Sequence, residues 1–395
     1  MKREIDQQKM DHAGDAAHEK YEKYAGTDSQ RCDAADTSAR GRADEREYYR
    51  ALAQQHWDSL GKPIDSLGVL EQHVTKLCMI ERTAQPRIGR RALAVLCADH
   101  GCVREGVTQT DSSVTRIVAE NFARGMTTTS VLAQQFAVDL FPIDVGMLAA
   151  SSEPMSTSAP LRTDIVNDRC LQHGSGDIAI EPAMSEEVGE RALALGRRLV
   201  RELKAQGYDI LLTGEMGIGN TTPTSALFSA YLGLPVEETV GRGAGLSDEG
   251  LARKRDCVRR ALRRVGHKNA KQFLFELGGL EIATMAGMFL GAVEEQMPIV
   301  IDGAISTAAA LAASRICEEE KEVADVSLAS HVSKDGAARK ALEALGLRAI
   351  IDADMSLGEG SGAVLLMPML DAALAVYRGM GSFEDIHVEA YHRFK

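Results

Sequence analysis

The chain has 395 residues, more than one hydrophobic core ordinarily serves, so a main domain with a smaller companion is expected. Its residues are 45% hydrophobic and 26% charged, the balance of a globular chain and neither a disordered nor a membrane-embedded one. The formal net charge of -12 excludes the broad basic face that nucleic-acid binding needs to displace counterions, while leaving room for a small anionic ligand.

Residues 1–47 mix Lys, Arg, Asp, Glu, Gln, Ser and Gly with few large apolar side chains, a composition expected to give a polar, disordered tail. Apolar residues then recur at intervals of three and four from Tyr48 through Leu77, with Pro63 and Gly68 dividing two helices. From Ala92 onward, short β-rich runs alternate with helical ones. Strands are predicted at Ala92–Ala98, Leu140–Val145, Asp209–Thr213, Pro298–Ile301 and Leu347–Ile351, each apolar enough to be buried on both faces. Helices are predicted at Ser113–Phe122, Glu186–Gln206, Asp248–Arg264, Leu280–Glu295 and Thr307–Glu319, the β-α-β rhythm of a parallel sheet covered by helices.

Seven scattered cysteines (Cys32, Cys78, Cys97, Cys102, Cys170, Cys257, Cys317) form no Cys-x-x-Cys pair, which argues against a disulfide framework or a zinc site and for a reducing compartment. The N-terminus lacks an apolar signal core, and the apolar stretch from Gly362 to Val376 is short for a bilayer and holds Asp371, so a soluble cytoplasmic protein is expected.

Ligands in such folds bind where strands end and loops begin. The strand ending Thr213-Gly214 runs into Glu215-Met216-Gly217-Ile218-Gly219-Asn220-Thr221-Thr222-Pro223 and a helix. There Gly217 and Gly219 would open backbone N–H groups to a phosphate, and Thr221 or Thr222 would cap the helix. A second cluster, Gly241-Arg242-Gly243-Ala244-Gly245, precedes a helix carrying Arg253, Lys254 and Arg255, so a cation could reach the same phosphate. Asp302 closes another strand ahead of Gly303 and the helix start at Ser306 and Thr307. Asp99 and His100 close the first strand, with Thr108 in the segment beyond. Leu357-Gly358-Glu359-Gly360-Ser361-Gly362 presents one carboxylate among three glycines, a loop able to close on a flat ligand. Read singly, each of these is also an ordinary turn or helix cap; His100 and His331 read more simply as structural histidines.

Together, Ala98-Asp99-His100-Gly101, Gly214 through Thr222, Asp302-Gly303 and Leu357 through Ala363 resemble the nicotinate mononucleotide:5,6-dimethylbenzimidazole phosphoribosyltransferases in order and spacing. Pro182-Ala183-Met184, Ser330-His331 and Met367-Pro368 extend the resemblance over about residues 48–385. It implies an α/β fold, a Rossmann-like parallel sheet flanked by helices (residues 86–363), with a small helical domain from both chain ends (48–85 with 364–395). It also implies a homodimer whose partners complete each other's sites, with no metal or redox cofactor.

The implied substrates are nicotinate mononucleotide and an aromatic base, joined to make the ribazole phosphate of the cobalamin lower loop. Glu359 takes the position of the general base, and Glu215 that of a second, orienting acid. Substrate-binding positions fall on Asp99, His100, Thr108, Gly217, Gly219, Asn220, Thr221, Thr222, Gly243, Lys254, Asp302, Ser306, Gly358 and Gly360. Thr110 and Asp111 stand where the family has an aromatic residue and proline, and Met126 where it has glycine, which leaves a purine or phenolic base open beside dimethylbenzimidazole. A non-catalytic nucleotide-binding partner subunit is the other reading.

Overall fold

The computed structural model describes residues 39–148, 159–317, 320–334 and 337–393. Within them the chain divides into a helical unit, up to Pro86 and from Leu370 onward, and an α/β unit from Arg87 to Met369.

In the helical unit, α1 (Ala39–Ser59) and α2 (Val69–Glu81) are separated by the turn holding Pro63 and Gly68, as the spacing predicts. Helix α1 starts at Ala39, so the last residues of the expected tail are helical. Trp57 and Tyr377 meet edge to face at 4.8 Å between centroids, and both are buried. Lys62 and Glu71, also buried, pair at 2.7 Å.

The α/β unit is built on β1 (Arg91–Ala98), β2 (Val138–Gly146), β3 (Asn167–Asp168), β4 (Ile210–Met216), β5 (Ile299–Ile301) and β6 (Ser327–Ala329). All neighbours pair in parallel, in the order β3-β2-β1-β4-β5-β6. The chain therefore winds outward from β1 in one direction and returns to β4 on its other side. This is the doubly wound Rossmann order, which opens a crevice beyond the carboxyl ends of β1 and β4. Every residue of β1 is buried, the reason it reads as an unbroken apolar run.

Covering the sheet are α3 (Ser113–Ala123), α4 (Thr128–Gln135), α5 (Glu186–Ala205), α6 (Thr221–Leu232), α7 (Val236–Thr239), α8 (Asp248–Val265), α9 (Ala270–Leu277), α10 (Leu280–Glu295), α11 (Ala304–Ile316), α12 (Glu320–Val326) and α13 (Ala338–Ala344). Helix α14 (Ser361–Gly379) begins in this unit and passes the division at Leu370, so the boundary expected at residue 364 falls later, inside an unbroken helix. Helix α14 is longer than its apolar core suggests and could cross a membrane by length and composition alone; half of its apolar window is nevertheless buried within the protein.

The tightest helix pair is α5 on α10. A Cβ on Gly196 would stand 2.6 Å from the Gly287 carbonyl carbon, and one on Gly291 2.8 Å from the Arg197 Cα, so glycines let the two backbones touch.

Two predicted elements differ. Leu347–Ile351 is not a strand: only Ile351 bridges to His331, and residues 347–351 are partly or fully exposed. The edge position belongs to β6, which is buried but only three residues long and begins with Ser327. Strand β3 is hidden in the sequence for the same reason, having two polar residues; Asn167 satisfies its buried amide on the Pro142 and Arg162 carbonyls at 3.0 and 2.8 Å. Helix α11 starts at Ala304, three residues before the expected Thr307, directly after the β5 turn.

Candidate active site

A cleft of about 310 Å³ opens at the carboxyl ends of β4 and β5, within the size range of small-ligand pockets. Glu215, Gly217, Gly219, Asn220 and Thr221 line it after β4, Asp302 and Ser306 after β5, and Gly358 and Glu359 from the loop ahead of the last helix, joined by Thr108 and Gly243 from two further segments. The sequence-predicted motifs, drawn from five separate stretches, thus meet around one cavity.

Their roles in the local fold differ from a reading of each motif alone. The cap of α6 is Asn220, not Thr221 or Thr222. Its side chain does not cap; its Nδ2 donates to Glu215 Oε2. Thr222 is buried beneath the helix, and Thr221 accepts a 2.7 Å bond from Lys254 Nζ, which also reaches the Gly241 carbonyl at 3.2 Å. Lys254 therefore stands behind the glycine loop, in a smaller hollow that shares Thr221 and Gly243 with the main cleft.

Asp99 and His100 do not line the cleft. His100 is buried against Gly217, whose added Cβ would come within 3.1 Å of its Nε2, and it pairs with Glu281 at 2.8 Å. Burial opposes the imidazolium, but the Glu281 carboxylate, with Asp99 behind it, holds the histidine above its ordinary pKa. Asp99 accepts the Leu148 N–H at 2.8 Å. This pair braces the loop from behind.

Asp302 makes the least expected contacts. Its Oδ1 accepts the Gly362 and Ala363 N–H groups at 2.8 and 3.0 Å, and its Oδ2 accepts that of Gly360 at 3.2 Å. It thereby holds the start of α14 and the loop that carries Glu359, with His331 Nδ1 3.8 Å away. Burial pushes its carboxyl up, against the pull of His331 and those three N–H groups. Ser306 ties β4 to β5, sharing a 2.6 Å bond with Thr213 and accepting the Asp302 N–H at 3.2 Å.

The loop needs that support. Gly358, Glu359 and Gly360 all have positive φ, at 79°, 63° and 87°. For the glutamate this costs about 1–2 kcal/mol, the scale of one or two of the hydrogen bonds by which Asp302 holds the loop. The loop lies flat on Gly214, where any Cβ would meet the Glu359 carbonyl oxygen at 2.7 Å.

The two glutamates face one cleft in different surroundings. Burial, then the nearby Glu281 and Asp302 charges, push Glu215 up to about 8, despite hydrogen bonds from Asn220 and the Glu359 backbone. Glu359 is also raised, by burial first; the Thr129 hydroxyl, donating to Oε2 at 2.9 Å, and the Thr129 backbone resist that rise. Thr129 and Glu281 carried no sequence signal, since each sits at an ordinary helix start. Arg242, Gln109, His331 and Ser333 also line the cleft.

A Rossmann-type α/β protein, with a small-ligand cleft at the carboxyl ends of β4 and β5 lined by three carboxyl groups of raised pKa, is the class these features define. A family model described as a phosphoribosyltransferase matches residues 43–388, and the chain belongs to that family. The nicotinate-nucleotide–dimethylbenzimidazole phosphoribosyltransferase of Acetivibrio thermocellus is 38% identical over 342 residues, covering 86% of this chain and 94% of the relative. Its counterpart in Escherichia coli is 41% identical over 332 residues, 83% and 89% of the two chains. The crystal structure of CobT from Thermus thermophilus superposes with a TM-score of 0.79 at 38% identity, over 87% of this chain and 99% of that one.

Proposed function

We propose that the chain transfers the phosphoribosyl group of nicotinate mononucleotide to 5,6-dimethylbenzimidazole, releasing nicotinate and forming α-ribazole 5′-phosphate for the nucleotide loop of cobalamin. The carrying observation is Glu359, lining the same cleft as the Gly217–Thr221 loop, in a chain 38–41% identical to enzymes bearing that name. One nitrogen of the base attacks ribose C1′ as the bond from C1′ to the pyridinium nitrogen breaks. The proton of the other nitrogen goes to the Glu359 carboxylate. Nicotinate leaves as a neutral pyridine ring, so the protein's task is to orient two flat rings and stabilise charge at C1′. Gly217, Gly219 and the N-terminal end of α6, with Lys254 behind them, supply a positive seat for the phosphate.

Turnover is tested by incubating the protein with nicotinate mononucleotide and a mixture of benzimidazoles, purines and phenols, then identifying products by mass spectrometry. The expected product carries dimethylbenzimidazole. Thr108, Gln109 and Thr110 give the rim a polar edge, and a purine or phenolic product would move the substrate assignment without changing the reaction. No release of nicotinate with any base would overturn the proposal. Glu359→Gln should lower kcat by about 10²–10⁴-fold while leaving nucleotide affinity nearly unchanged, since it removes a base and keeps its size.

The reading includes a cytoplasmic homodimer. The support for the dimer on this chain is apolar exposure: Ile117, Met126 and Val131, on and between α3 and α4, are each more than half exposed.

A further inference from the structure

Thr129 belongs to the run Thr127-Thr128-Thr129-Ser130 that opens α4. Thr127 provides the cap, its Oγ1 accepting the Ser130 N–H at 3.0 Å, so the first turn is fixed independently of Thr129. Thr129 is fully buried, and its hydroxyl is spent on Glu359, 230 residues away in sequence. Its backbone also favours the charged form of the same carboxylate. A buried hydroxyl aimed from a capped helix turn at one oxygen of a glutamate is a rigid arrangement.

The titratable neighbours of Glu359 come from other elements. Asp302, from the end of β5, disfavours its ionisation. Glu215, from the end of β4, lies against the same loop, where a Cβ on Gly358 would collide with its Oε1. His331, just after β6, stands 3.8 Å from Asp302 and offsets that charge. Among the described residues, α4 supplies the hydroxyl donor to the carboxylate itself and brings no charge.

We infer that Thr129 is the positioning residue of Glu359, its hydroxyl clamping Oε2 so that Oε1 is the oxygen that accepts the proton of the incoming base. The inference rests on Glu359 acting as the base. The clamp also stabilises the ionised form, because the Thr129 hydroxyl and backbone both favour the charge; removing the hydroxyl makes the carboxylate easier to protonate.

The test compares wild type, Thr129→Val and Thr129→Ser as full chains. The carboxyl infrared band that disappears in Glu359→Gln identifies Glu359 and is followed against pH, alongside the pH profile of kcat/KM for the base. Thr129→Val should move the Glu359 titration and the acidic limb upward by about one pH unit. It should lower kcat/KM about tenfold below that limb, the scale of one hydrogen bond to a charged group, with nucleotide affinity unchanged. Thr129→Ser should restore both. A Val titration that coincides with wild type, or a Ser variant displaced as far as Val, overturns the inference. Should wild type release no nicotinate, the functional reading falls, while the infrared titration still decides what Thr129 does.

Discussion

Glu215 is buried beside Glu281 and Asp302, and its proton is held up to about 8. At neutral pH it can therefore give a hydrogen bond as well as accept one, a role a carboxyl of ordinary pKa does not fill. The same shift has a stability consequence whose sign follows from proton uptake. Between the ordinary 4.5 and about 8 the folded protein keeps a proton on Glu215 that the unfolded chain has released. Stability is full below that window and declines as pH rises through it. Glu215→Gln removes the titration, so its melting temperature, measured by calorimetry, should gain on wild type from pH 5 to pH 8. A constant difference across that range would mean that Glu215 is ionised in the folded protein.

At the scale of elements, the loop from Leu357 to Gly362 is held by parts distant from it. Asp302 accepts its N–H groups from below, and Gly214 of β4 lies flat beneath the Glu359 carbonyl. Gly214 is not among the residues of positive φ, so glycine there serves close approach alone. Gly214→Ala must lift the loop, because the obstructing atoms are backbone. A misplacement near 1 Å costs on the order of 10²-fold in rate, so kcat should fall by about that factor while the phosphate loop still binds nucleotide. Titration of nicotinate mononucleotide against the variant, together with its turnover, separates the two effects; unchanged kcat would show that the loop does not depend on this contact.

The whole molecule raises the question of assembly. Ile117, Met126 and Val131, each more than half exposed, lie on or near in sequence to the helix that carries Thr129. A homodimer covering them would have a mass near twice 42.6 kDa in light scattering. Val131→Glu would place a charge in that contact and should shift the protein toward monomer with its fold intact by circular dichroism. A wild type that stays monomeric at micromolar concentration would remove this part of the proposal.

The sequence by itself determined the alternation of buried strands and helices, because a strand covered on both faces must be apolar throughout: β1, β2, β4 and β5 and the full span of α10 are legible for that reason. It also marked the loops that meet at the cleft, since glycine is needed where backbone turns left-handed or approaches closely. Short edge strands β3 and β6 escaped it, because two or three residues, partly polar, carry no period. Local reading made Asp302 a strand-end acid and Thr221 or Thr222 a helix cap. The fold keeps Asp302 at the cleft but also ties it to a loop 58 to 61 residues onward, and it gives the cap position to Asn220, which turns back to Glu215. Thr129 became visible only in three dimensions: local sequence fixes which turns form, whereas burial and the pairing of charges depend on which distant elements come to face one another.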